Sequence, residues 1–163
     1  MKKRGQFDIS FGMIFSIIII IAIIAVAFYV IKSFFFVSEC TKVGLFYDDL
    51  KTHINKAWQS TIHEDIFTST LPSGIELVCF GNLAQNPAKQ YQQTYNEILR
   101  SNINSKEKNV FIYPERKSCD NSLRSIELDH ITTSSFLCVP VKNNQLTIKT
   151  KKDQFESLVT ISA

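Results

Sequence analysis

The sequence predicts an α+β protein: an N-terminal transmembrane helix that continues into an amphipathic helix packed on an antiparallel β-sheet. Three observations lead there. Residues 9–31 carry no charged side chain. Apolar residues then recur in steps of three and four as far as Ile62. Beyond them, short apolar stretches alternate with turn residues at the spacing of hairpin-linked strands.

The apolar segment comes first. About 20 apolar residues cross a hydrocarbon layer of about 30 Å as a helix, and in lipid a single segment satisfies its own backbone only as a helix. Residues 9–31 exceed that length, and residues 17–21 are all isoleucine. Lys32 stands at the far edge, where it can snorkel, and Phe34, Phe35 and Phe36 follow at the depth of the interface. A buried core helix is the bland reading, but a chain of 163 residues cannot cover so uniform an apolar cylinder. A cleaved secretory signal is the other, since Ala25-Val26-Ala27 has the small-x-small pattern of a signal-peptidase site. The apolar run continues past that box, which favours an anchor.

Charge supports the same division. Of 18 bases and 15 acids, residues 1–33 hold Lys2, Lys3, Arg4 and Lys32 against Asp8 alone, which leaves 14 of each sign in the remainder. The excess positive charge therefore lies at the N-terminus, and the folded part is neutral. Without a basic stripe interleaved with aromatics, nucleic acid is not an expected partner. The positive-inside bias keeps Lys2, Lys3 and Arg4 in the cytoplasm and sends the C-terminal part outward. The expected location is the cell membrane, single-pass, with the lipid bilayer as first partner.

Lys2-Lys3-Arg4-Gly5-Gln6-Phe7, followed directly by the apolar run, resembles the class III signal peptide of archaeal type IV pilins and archaellins. In that family a membrane peptidase cuts after the glycine that follows the basic residues, on the cytoplasmic side. The resemblance implies a cut between Gly5 and Gln6. It also implies a mature helix able to assemble with copies of itself or with other pilin-like subunits. On this reading residues 1–5 are a basic leader, 6–36 the anchor and 37–163 an extracytoplasmic domain. A signal-anchor that is never cut remains the alternative.

In the domain, Val43, Phe46, Tyr47, Leu50, Ile54, Ala57, Trp58 and Ile62 mark one helix face. No proline separates this helix from the anchor, so one helix from about residue 9 to 61 is expected. Pro72-Ser73-Gly74 signals a turn, and residues 75–80 read as a strand. A polar helix is expected over 88–104, with Tyr91, Tyr95, Ile98 and Leu99 inward. Strands follow at 110–113, 125–131, 136–141, 145–150 and 157–161. Asn143-Asn144 suits the positive φ angles of a tight hairpin, and Pro140 assigns its strand to an edge or a bulge.

The chemistry-bearing residues are sparse. Cys40, Cys79, Cys119 and Cys138 include no Cys-x-x-Cys pair. An even number in an exported domain points to as many as two disulfides, with three connectivities open. Cys79 and Cys138, inside expected strands, also read as small buried hydrophobes. The histidines His53, His63 and His130 are scattered, and His63-Glu64-Asp65 lacks the second histidine that a zinc helix needs. These read as solvent-facing polar residues at a helix end, with no metal or cofactor expected. There is no nucleophile elbow, phosphate loop or dinucleotide fingerprint. The expected function is that of a membrane-anchored surface protein rather than an enzyme, and the resemblance of the N-terminal segment implies a pilin-like structural or assembly subunit. The rivals are an uncleaved signal-anchor with a partner-binding domain, and an envelope enzyme with an unrecognised site.

Overall fold

The computed structural model describes residues 11–102 and 107–163. The chain divides into two compact units, Met1–Val37 and Ser38–Ala163. The first unit, over its described part, is helix alone. Helix α1 spans Phe11–Gln59, and its side chains from Met13 to Val30 lie in the open, Phe28 and Tyr29 most of all. It is long and apolar enough to cross a membrane.

The second unit is α+β, with antiparallel pairing dominant. After the last turns of α1 come β1 (His63–Thr70), β2 (Leu77–Phe80), α2 (Gln92–Ser101), β3 (Val110–Tyr113), β4 (Ser125–Ile126), β5 (Ile131–Thr132), β6 (Leu137–Pro140), β7 (Gln145–Lys152) and β8 (Val159–Ser162). These strands form two four-stranded sheets rather than one, ordered β1-β7-β8-β5 and β4-β3-β2-β6. The β5–β8 pair is parallel; every other named strand pair is antiparallel.

Burial explains the two kinds of strand. In β7, Leu146, Ile148 and Thr150 are buried while the residues between them face water, the alternation of a sheet covered on one side. In β2, Val78, Cys79 and Phe80 are all buried, because both faces of that sheet are covered. Val78, Phe80, Val110, Ile112 and Val139 join the main core with Val43, Phe46, Leu50 and Ile54 of α1 and the inner face of the first sheet. Cys79, Phe111 and Cys138 point the other way, into a smaller cluster with Ile98 of α2 and Phe136.

Several boundaries differ from the sequence reading. Helix α1 stops at Gln59, so Ile62 never reaches the helix face and is 66% exposed. Trp58 is 38% exposed: it stacks on His130 with ring centroids 3.8 Å apart, and its Nε1 donates to the Ser157 carbonyl at 3.1 Å. Lys152 Nζ donates to the Ser60 carbonyl at 2.8 Å and to that of Trp58, satisfying acceptors that the helix end leaves open. His63-Glu64-Asp65 is the start of strand β1, not a helix end. The expected strand 125–131 is two short strands in different sheets, separated where His130 takes a φ of 67°.

Other local readings match. Asn143 and Asn144 have φ angles of 52° and 61°, and the amides of Lys142 and Gln145 each donate to the other's carbonyl. That turn, however, joins strands of different sheets. Pro140 ends β6, an edge strand, where its missing N–H costs no ladder bond. The polar helix starts as a 3₁₀ turn at Lys89–Tyr91 before α2 begins, with Ile98 buried, and residues 103 and 104 of its expected span lie outside the described residues.

Two substitutions test this core. Leu50→Ala removes a side chain with no exposed surface, and the expected loss is about 2–5 kcal/mol. Gly44 is helical, and a Cβ there would meet nothing within 4 Å. Gly44→Ala should therefore add about 0.5–1 kcal/mol. Both are read as shifts of the denaturant midpoint, and a destabilised G44A would contradict the helix placement.

Candidate functional site

The cysteines are paired. Cys40 is bonded to Cys119, with Cα atoms 5.4 Å apart, and Cys79 to Cys138, at 4.0 Å. The first bond ties α1 to the loop before β4. The second crosses the β2–β6 ladder, where the two residues are register partners. Cys79 and Cys138 are buried as well as bonded. Of the three connectivities open from sequence, this one depends on β6 lying beside β2, which spacing alone does not show. Gly5 and Gln6, where processing is expected, and Lys2, Lys3 and Arg4, expected to set the topology, lie outside the described residues.

A second constellation was not read from the sequence. His53, on α1, belongs to the face that carries Leu50, Ile54 and Ala57. His63 and Asp65 are two apart on β1, on the side of the strand that carries buried Phe67. The β1–β7 register sets Thr150 opposite Asp65, and Thr150 is fully buried. Its Oγ1 lies 2.9 Å from His53 Nε2 and 3.3 Å from His63 Nε2, and donates to the Asp65 carbonyl at 3.2 Å. Both imidazoles are half-buried, and their centroids are 5.5 Å apart in an edge-on arrangement. Burial holds the His53 pKa below its ordinary value; His63 and Lys56 push the same way, against the opposing carboxylate of Asp65. The sequence signal was weak, because the two histidines are ten positions apart on elements of different type.

A third polar group lies at the end of α2. The Glu115 carboxylate accepts from Asn102 Nδ2 at 2.8 Å, contacts Ser101 Oγ and sits 3.6 Å from Arg124 Nη1. Asn102 in turn accepts from Ser125 Oγ at 2.9 Å. Tyr113 donates to Glu97 Oε2 at 2.8 Å, a bond that raises the tyrosine pKa. Of these residues, Glu97, Ser101, Tyr113 and Glu115 line an open cleft of about 370 Å³. Its acids are occupied in tying α2 to β3 and the following loop, which is structural work. Elsewhere, Tyr47 donates to the Leu123 carbonyl at 2.8 Å, and burial drives its pKa upward.

No protein-family model, curated protein or solved structure matches the chain.

The disulfides generate a direct expectation. Unfolded but unreduced protein should show no free thiol, and reduction should lower stability by about 2–4 kcal/mol per bridge. Thiol titration and denaturation with and without reductant are the measurements. Four thiols in native material would contradict the pairing.

Proposed function

We propose that the protein is a single-pass, membrane-anchored surface protein, a pilin-like structural or assembly subunit whose C-terminal domain lies outside the cytoplasm. One observation carries most of this reading. A single helix, Phe11–Gln59, is bare and apolar in its first half and supplies a core face to an α+β domain in its second. An apolar surface of that extent needs either lipid or other helices around it. The two disulfides favour an oxidising compartment for the domain. The bases Lys2, Lys3 and Arg4 favour a cytoplasmic N-terminus.

The pilin-like part of the proposal rests on Gly5 directly after those bases. A cut between Gly5 and Gln6 would remove all three cations ahead of the helix. Burying the new terminus among other helices would then cost less, because unpaired charge is expensive in an apolar interior. Asp8 would be the nearby acid available to the new amine, in the same subunit or a neighbour.

N-terminal sequencing of protein from native membranes tests the cut. The expected first residue is Gln6, and a Gly5→Leu variant should retain Met1. If both begin at Met1, the pilin-like reading fails and an uncleaved signal-anchor stands. Protease added outside intact cells, with any outer envelope permeabilised, should degrade residues 38–163. Replacing Lys2, Lys3 and Arg4 with glutamine should weaken or invert that accessibility, and full protection of the unaltered chain would overturn the orientation.

A further inference from the structure

We propose that His53, His63 and Asp65 form a binding site for a divalent transition-metal ion, Zn2+ in particular. The ligand atoms of these three side chains all lie within 4.8 Å of one another. Tetrahedral ligands about 2.0–2.1 Å from zinc stand roughly 3.3 Å apart. Closing from one spacing to the other takes a modest contraction, and the exposed side chain of Asp65 has room to supply it.

The fold places the histidines well for this. His53 and His63 direct their Nε2 atoms at one point, the hydroxyl of Thr150. That convergence comes from three separate elements: a helix face, alternate residues of β1 and the register of β1 on β7. Metal binding exchanges the shared hydroxyl contact for two nitrogen–metal bonds. Asp65 Oδ1 accepts from its neighbour Ile66 N–H at 2.8 Å. This bond orients the carboxylate and leaves its second oxygen as the ligand.

Donor chemistry selects the ion. Two imidazoles and one carboxylate suit zinc and its neighbours, whereas calcium and magnesium take oxygen ligands. The cysteines are held in disulfides, so no thiolate competes for the ion. The Lys152 ammonium is directed away from the site, to the carbonyls at the end of α1. Three protein ligands leave one zinc position for water or for a donor from another molecule. This inference is independent of pilin-like processing.

The experiment uses the full chain in detergent micelles, stripped with chelator and titrated with Co2+ and then Zn2+. The expected result is a visible spectrum of tetrahedral cobalt that saturates at one ion per chain and is bleached by Zn2+. Zinc should also raise the unfolding temperature. His63→Gln and Asp65→Asn, each at a partly open position, should weaken binding at least about tenfold and abolish the zinc-dependent thermal shift. His130→Gln should bind like the unaltered chain. Absence of the saturable spectrum overturns the proposal, as does equal binding by H63Q and D65N variants whose thermal transitions show them folded.

Discussion

Burial of one stripe on α1 is the constraint on which the domain depends. Val43, Phe46, Leu50, Ile54 and Ala57 have almost no exposed surface, and they meet the inner residues of both sheets. Each sheet turns one face into the core that this helix shares. The first sheet has Phe67, Leu146, Ile148, Val159 and Ile161 on that side, and the second has Val78, Phe80, Val110, Ile112 and Val139. The helix is fixed by more than apolar contact. Tyr47 reaches the Leu123 carbonyl, Cys40 is covalently joined to Cys119, and Lys152 binds the carbonyls at its end. These restraints lie at successive points along the helix, so its rotation and its axial position are both set.

That setting is also what makes the polar constellation. The apolar stripe ends toward the helix C-terminus, and His53 lies on the same face where the first sheet presents His63, Asp65 and Thr150 instead of aliphatic residues. A rotation of the helix by one residue, about 100°, would carry His53 away from Thr150. The edge position of β1 leaves this end of the core open to water, which tolerates a carboxylate pointing inward; inward charge on an edge strand also discourages pairing with other chains.

Local pattern was legible where it decides structure locally. The steps of three and four from Val43 to Ala57 gave the helix face, Val110–Tyr113 was read as a strand at its observed bounds, and Asn143-Asn144 marked its turn. The misses have one cause, distance along the chain. Strand β1 opens on His63, Glu64 and Asp65, residues with little strand preference, and it is a strand because β7 pairs along its whole length. Residues 125–131 look continuous, but their two halves are claimed by different sheets. The apolar run Leu77–Phe80 could not say that it has two covered faces. Which cysteines meet, and that His53 meets His63, follow only from the assembled topology.

The two disulfides are interleaved: Cys79 lies inside the loop closed by Cys40 and Cys119, and Cys119 lies inside the loop closed by Cys79 and Cys138. Consider a single peptide bond broken anywhere between Cys40 and Cys138. Before Cys79, the Cys40–Cys119 bridge spans the break; after Cys119, the Cys79–Cys138 bridge does; between those two residues, both do. No one scission in that interval can release a fragment. A chain whose domain meets hydrolytic enzymes would thus survive a first nick as one covalent body, still joined to its helix and still holding the two halves of its core together.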